Sequence, residues 1–458
     1  MIYKAKCYFS IFIISIILIF SFNKAHARTF IILNNLTGIE FDLELTLTGN
    51  RLNSKYWNQI SKNIGRNEKR KILVYNRDAG IKNNKNYKFD IKLIPSDFSE
   101  SNINHYILSQ KLLGRAINSD LFHGVGISGE QKTNYFSDRF TRSRSLKLND
   151  RYLNISYRAV ADGMNDNIIY TIKEVKVESV DNDTELKVLS YNTYMRPRGY
   201  FRNGQSQRLI RMTPYLKGYD VLVLSELFDD RLRRKLINLV KGEYPYHSRV
   251  VGRDKFAQQD GGVVILSKWP ILKEDQKLFG HRCSGGIGDC LSDKGIKYVK
   301  VLKGSKEYHV LGSHMQSGDS LKDIKARKSQ LKLIKRFIRK LNIPSNRPLL
   351  LAGDLNIDYH EIGESTEYQS LISILKMKSP SFFGHRYSFD PIENKLADSS
   401  KKQDLVDYCL YSTNHLLPKE ASSEVLLIKA KSPWRDYVWE SYYYELSDHY
   451  PVSSNYSF

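Results

Sequence analysis

The chain has 458 residues, with 71 Lys and Arg against 49 Asp and Glu, a formal charge of +22. That length predicts two or three domains rather than one small module. A hydrophobic content of 41% with 12% aromatics excludes wholesale disorder, and four Cys are too few for a disulfide-stapled miniature scaffold. After the first few residues no apolar run is long enough to cross a membrane, so the mature chain is expected not to be an integral membrane protein.

The N-terminus reads as a targeting segment. Lys4 and Lys6 precede an apolar run from Tyr8 to Phe22, and Ala25-His26-Ala27 offers small residues where a signal peptidase reads them. Secretion with cleavage after Ala27 is predicted, the alternative being an uncleaved anchor. Loss of Lys4, Lys6 and Lys24 takes the charge from +22 to +19. A secreted polycation is drawn to nucleic acid, anionic lipid or anionic cell-surface polymers. The excess is uneven: residues 28–185 hold 24 basic and 19 acidic side chains, and residues 186–458 hold 44 and 30.

Residues 28–180 are predicted to form a β-rich accessory domain, most simply a β-sandwich. The runs FIILNNL, FDLELTLT, KILVYN, YKFDIKLI, YLNISYRAV and NIIYTIKEVKVESV are apolar or alternating and are separated by Gly, Asn and Asp. His105 and His123 are isolated and read as structural or exposed rather than as ligands, and the basic stretch Ser137 to Lys147 as a solvated loop. No catalytic constellation stands out in this region.

From residue 186 to 458 strand-like and helix-like runs alternate, which predicts a layered α/β catalytic domain. The strands are LKVLSYN, DVLVLSE, GGVVILSKW, IKYVKVL, YHVLGSH, PLLLAGDLN and DLVDYCLYS. Helices are expected over Arg231 to Lys241 and Leu321 to Lys340. In the second, Ile324, Leu331, Ile334 and Ile338 share a face opposite Lys and Arg, and Asn342 with Pro344 stops it. Cys283 and Cys290 are candidates for a small disulfide ring in an oxidising compartment, and Cys409, within an apolar run, for a buried thiol.

Several of these strands run apolar and then end on a residue that can bind metal or move protons: Asn192, Glu226, His314, and Asp354 with Asn356. Asp448 and His449 stand just before a last apolar pair. Each alone is explained by strand termination, but together they form one compatible set. Oxygen ligands from Glu226, Asn192, Asp354 and Asn356 suit a hard cation such as Mg²⁺, and no Cys/His spacing suits zinc. Two histidines beside such a site suit attack of water on a phosphodiester.

The motifs SYN (Ser190 to Asn192), SELFDD (Ser225 to Asp230), DGGVVILSKWPI (Asp260 to Ile271), GSHMQSG (Gly312 to Gly318), GDLNID (Gly353 to Asp358) and SDHYPV (Ser447 to Val452) resemble, in this order, the endonuclease/exonuclease/phosphatase superfamily. SKWPI, CLSDKGIKYVKV, GHRYSFDPIENKLA and VDYCLYSTNH further resemble secreted bacterial neutral sphingomyelinase C. The resemblance covers most of 186–458 and none of 28–180. It implies a four-layered, DNase-like α/β sandwich that cleaves sphingomyelin to ceramide and phosphocholine with Mg²⁺. It also implies roles. Glu226 would be the principal metal ligand, with Asn192, Asp354, Asn356 and His449 contributing. His314 would contact the phosphate and assist the leaving group, with Asp260 as the acid near it. His449 would be the general base beside Asp448, with Asp407 supporting the core of the site. The Cys283/Cys290 pair also suits this family.

Before SDHYPV, Trp434, Tyr437, Val438 and Trp439 cluster around Arg435 and Asp436. An aromatic hairpin there would touch the bilayer that holds the substrate. A nuclease or a phosphoinositide phosphatase on the same scaffold, and an inactive toxin subunit or adhesin, are the alternatives. Nucleic acid is the less favoured substrate, because the sphingomyelinase-like segments lie where nucleases diverge.

Overall fold

A computed structural model describes residues 28–96, 104–116, 119–130, 133–148, 151–162, 165–175, 180–197, 203–252, 259–285, 289–360, 366–436 and 441–458. The targeting segment, residues 1–27, lies outside the described residues. No helix among the described residues is long and apolar enough to cross a membrane. The chain forms two compact units. One takes the chain up to Thr141 with Leu146–Asn149 and Ile155–Glu174, and the other takes Arg142–Ser145, Asp150–Asn154 and Val175–Phe458.

The first unit holds β1 (Arg28–Leu36), β2 (Phe41–Gly49), β3 (Lys69–Asn76), β4 (Asn86–Pro95), β5 (Tyr106–Gly114), β6 (Ser119–Ile127), the end of β7 (Arg142–Leu148), most of β8 (Arg151–Asp162) and β9 (Asn165–Val175), while the start of β7, Arg142–Ser145, and the first residues of β8 belong to the second unit. An antiparallel sheet runs β2-β4-β5-β6, and a second runs β8-β9-β1-β3, with β1 parallel to β9 and antiparallel to β3. Strict alternation buries every second side chain of β1 and β4. The inward residues of the two sheets meet face to face. The Tyr75 ring of β3 stacks on Phe89 of β4 at 4.9 Å, and Gln110 Nε2 of β5 donates to the Tyr170 hydroxyl of β9 at 3.1 Å. This is the expected sandwich.

The stretch expected as a solvated loop is instead largely strand β7. Arg142 is buried and its Nε donates to Asp275 at 3.0 Å, while Ser143 pairs with Glu274. Its basic side chains mask the strand, and the ion pair with Asp275 makes the buried Arg142 compatible with the interior. His123 is structural: it is buried, with Nε2 3.0 Å from the Asp138 carbonyl.

The second unit is a four-layered α/β sandwich. One inner sheet contains β13 (Ile271–Leu278), β14 (Gly295–Lys303), β15 (Lys306–His314), β16 (Leu349–Asp354) and β17 (Asp407–Ser412) in the order β17-β16-β15-β14-β13. The other contains β10 (Glu185–Asn192), β11 (Val221–Ser225), β12 (Val264–Ser267), β18 (Glu420–Val425) and β19 (Val452–Ser457) in the order β12-β11-β10-β19-β18. Val188, Val223, Ile265, Val299, Val310, Leu350 and Tyr456 fill the space between them. The outer face of the first sheet packs Leu311, Leu351 and Leu410 under α3 (Leu321–Leu341) and α4 (Glu367–Leu375). The outer face of the second packs Leu189, Leu222 and Leu266 under α1 (Gln205–Met212) and α2 (Asp230–Val240). Because both faces of every central strand are covered, these strands read as continuous apolar runs. Helix α3 starts on a Ser320–Asp323 capping box and ends on Asn342 in the left-handed region, the stop that its sequence predicts.

Cys283 and Cys290 form a disulfide, and Cys409 is a buried free thiol.

Candidate active site

The register of the strands assembles the site. β15 and β16 run parallel with His314 opposite Asp354, and β17 runs antiparallel to β16 with Asp407 opposite Asp354. In the facing sheet β10 and β11 run parallel, with Asn192 opposite Ser225, so Glu226 follows at the same end. Asp448 and His449 arrive on the segment that enters β19. Gly353 permits this row: its φ is +135°, and a Cβ there would overlap the Ser313 carbonyl oxygen. Tyr194, Glu226 and Asn356 all adopt positive φ near +52° (52°, 51° and 52°), a conformation L side chains rarely take and one that clusters at functional sites.

Glu226, His314, Asp354, Asn356, Asp448 and His449 line one cavity of about 700 Å³. The Nδ1 of His449 lies 2.8 Å from Asp407 Oδ2, and its Nε2 is 3.9 Å from Asp354 Oδ2. Asp407 is fully buried and does not line the cavity, so it acts through the His449 ring. Burial works against a charged His449, but Asp407, then Asp448, outweigh it and hold the ring up to about 10.

His314 behaves oppositely. Burial, then the Lys294 ammonium 3.1 Å from its Nε2, push it down to about 3. A charged lysine can only donate, so Nε2 accepts and the ring is neutral. Lys294 also reaches Asp289 Oδ1 at 2.5 Å and the Met315 carbonyl at 3.0 Å.

The carboxylates crowd one another. Burial, then the neighbouring Asp407, push Asp354 up to about 7, and burial pushes Asp448 up to about 6 with Glu226 adding to it. Glu226 goes the other way: burial opposes its charge, but Arg196, 3.2 Å away, and other cations hold it low.

Two expected positions sit elsewhere. Asn192 does not line the cavity: its Nδ2 donates to Asp354 Oδ2 at 3.0 Å and its Oδ1 accepts from Tyr194 N at 3.1 Å, so it fixes Asp354. Asp260 is buried against Arg233 at 2.9 Å and the Gly262 N–H at 2.9 Å and does not line the cavity. The acid that holds the cation beside His314 is Asp289. Trp434 is only 1% exposed, with its indole N–H on the Glu445 carbonyl and its ring stacked on Tyr443, so it is core rather than a membrane contact. Strand pairing of Trp434–Arg435 with Tyr442–Tyr443 supplies the arms of the expected hairpin. Tyr437, Val438 and Trp439 lie outside the described residues.

Sequence reasoning missed Lys294, Asp289, Arg196 and Arg208. The Arg208 guanidinium is fully buried and donates to the carbonyls of Thr193, Tyr194 and Leu446, tying the end of β10 to the segment that carries His449. The signal for Lys294 was an Asp-Lys pair leading a strand. Arg208 had none beyond helical spacing.

The donor set suits a hard divalent cation. Glu226, Asp354 and Asp448 line one cavity, where burial raises Asp354 and Asp448, with Asp407 adding to the first and Glu226 to the second, an excess of buried carboxylate that a cation would offset. Asp354, Asp407 and His449 also come within 4.8 Å of one another. Since His449 and Asp407 already hydrogen-bond each other, that trio reads better as a proton-holding network than as a full ligand set.

The fold and this site define a phosphodiesterase scaffold. The family model described as "Endonuclease/Exonuclease/phosphatase family" matches residues 189–449, and the chain belongs to that family. It is 35% identical over 308 residues to a phospholipase C of Staphylococcus aureus, covering 62% of this chain and 91% of the relative. It is 35% identical over 306 residues to sphingomyelinase C of Listeria ivanovii, covering 61% and 89%. Among solved structures it resembles sphingomyelinase C from Streptomyces griseocarneus, with a TM-score of 0.55, 33% identity and 59% and 99% coverage. It also resembles a Staphylococcus aureus beta toxin mutant with bound magnesium ions, with a TM-score of 0.54, 35% identity and 60% and 100% coverage.

Proposed function

We propose that this chain is a secreted, Mg²⁺-dependent phosphodiesterase that hydrolyses sphingomyelin to ceramide and phosphocholine. The carrying observation is the pairing of His449 with buried Asp407 across a cavity from the neutral His314–Lys294 pair, with Glu226, Asp354 and Asp448 between. Glu226, with Asp354, Asn356 and Asp448, would hold Mg²⁺, which would supply Lewis-acid charge for the phosphoryl oxygens. A bound cation would offset the carboxylates that hold the His449 ring protonated; the neutral ring then takes the proton from the attacking water, and Asp407 fixes it and balances the imidazolium that forms. Asn192 keeps Asp354 in place. Lys294, which lines the cavity and is held by the neutral His314 ring, presents positive potential to the phosphoryl oxygens and the leaving alkoxide.

Export follows cleavage after Ala27. Residues 28–180 form an accessory domain, and 186–458 carry the chemistry. Tyr437, Val438 and Trp439 contact the bilayer that holds the substrate, beside Tyr442, which is 62% exposed. The test is a substrate panel: sphingomyelin vesicles, phosphatidylcholine vesicles and plasmid DNA, each with the mature protein and Mg²⁺. Phosphocholine release from sphingomyelin alone supports the reading. Nicked DNA without lipid hydrolysis moves the substrate to nucleic acid.

A further inference from the structure

The outer face of α3 carries a charge pattern that the cavity chemistry does not use. Leu331, Ile334 and Phe337 bury one side of this helix, and every exposed position after Leu321 on the other side is Lys or Arg. Lys322, Lys325, Lys332, Lys335, Arg336 and Arg339 fall within about 140° of the circumference at 100° per residue, along a helix about 30 Å long. Among the described residues none of these six forms an ion pair. The helix's one acid, Asp323, closes the capping box with Ser320, and Glu367 of α4 is taken up by Arg327 at 2.7 Å.

Solvated helix faces usually alternate charge, because opposite charges three or four residues apart stabilise and like charges repel. Here 332/336 and 335/339 are like-charged at i,i+4, so the row costs helix stability unless an anionic surface faces it. The row also begins at the cavity. Gly318, Asp319 and Ile324 line the cavity mouth, and Leu321, at the head of the row, is 85% exposed. An exposed leucine beside long cationic side chains suits a lipid interface, where the apolar tip enters and the charges reach phosphates. Single-stranded nucleic acid would leave Leu321 unexplained, and this face offers no aromatic ring to stack a base.

We infer that the outer face of α3 is a docking surface for anionic phospholipid, which holds the cavity mouth against a bilayer. The choice of a bilayer over other polyanions rests on the proposed lipid substrate. The test is partition of the mature protein onto sphingomyelin-free vesicles of phosphatidylcholine, with and without about one-third phosphatidylglycerol. At about fivefold per engaged cation, binding to the anionic vesicles is at least about tenfold tighter and falls as salt rises. Lys332→Gln/Lys335→Gln/Arg336→Gln/Arg339→Gln reduces it to the phosphatidylcholine level. Should that variant misfold, Lys332→Gln/Arg336→Gln gives an intermediate loss. Equal partition onto both vesicles, or anionic binding retained by the folded variants, overturns the inference. So does charge-dependent binding of plasmid DNA without any preference for anionic vesicles. Anionic binding by a protein that fails to hydrolyse sphingomyelin would sustain the surface and remove the substrate reading. Hydrolysis without charge-dependent binding would do the reverse.

Discussion

Replacing Asp407 by Asn isolates the pairing on which the proposed chemistry depends. The carboxylate is fully buried, and Oδ2 lies 2.8 Å from His449 Nδ1. Asn keeps the shape and removes the charge. If its amide nitrogen faces Nδ1 it donates there, the proton moves to Nε2, and the ring cannot accept from water. If its oxygen faces Nδ1, the NH₂ takes the place of Oδ1, which has no hydrogen-bond partner among the described residues, and the forming imidazolium loses its counter-charge. At an effective dielectric of about 20, unit charges 2.8 Å apart attract by about 6 kcal/mol. Desolvation offsets part of this and leaves about 3–5 kcal/mol. At about 1.4 kcal/mol per decade, kcat should fall by about a hundred- to four-thousandfold. The assay is initial-rate phosphocholine release at saturating Mg²⁺, with circular dichroism and a thermal melt to show that the variant is folded. A folded Asp407→Asn protein within about fivefold of wild type would refute the base–orienter assignment.

Other consequences follow from particular contacts. Gly353→Ala should cost at least about 3 kcal/mol or abolish soluble expression, because its Cβ meets the Ser313 carbonyl in the strand pair that aligns His314 with Asp354; a melt within a few degrees of wild type would contradict this. Cys283→Ser/Cys290→Ser should lower stability by about 2 kcal/mol in urea unfolding, the chain-entropy value for so short a ring. Buried His309, next to the Tyr298 hydroxyl at 2.7 Å, is pushed down to about 2, chiefly by burial. Its depressed folded-state value means that stability is full above the ordinary histidine range and is lost as pH falls below about 6.5, at about 1.4 kcal/mol per pH unit. Tyr298→Phe/His309→Phe, which removes both polar partners, should flatten the pH dependence of unfolding free energy between about pH 6.5 and 4.5 by close to one proton.

The second unit was legible because its central strands are covered on both faces. Each is an uninterrupted apolar run, so the polar residue that ends it is conspicuous, and Glu226, His314 and Asp354 stood out in that way. The register that brings Asp407 opposite Asp354 depends on antiparallel pairing with a segment distant in sequence, which no local pattern encodes. Lys294 and Asp289 matter through their contact with His314, again a tertiary fact. Asp260 was misplaced because its motif sits beside the site while its carboxylate is taken up by Arg233. Trp434 was misread because an indole between Arg and polar residues looks exposed, whereas the ring packs against Gly204 and Tyr443. In the first unit, β5 escaped notice because Ser109 and Gln110, both buried but on opposite faces of the strand, break the apolar alternation. The short helices α1 and α4 carry too few turns to show a clear period.

The most direct measurement is phosphocholine release from sphingomyelin vesicles by the mature protein, with Mg²⁺ and with chelator, beside His449→Ala. The account predicts release that requires Mg²⁺ and falls by at least about a hundredfold in the folded His449→Ala variant. Release that persists in chelator, or that survives loss of the His449 imidazole, would contradict it.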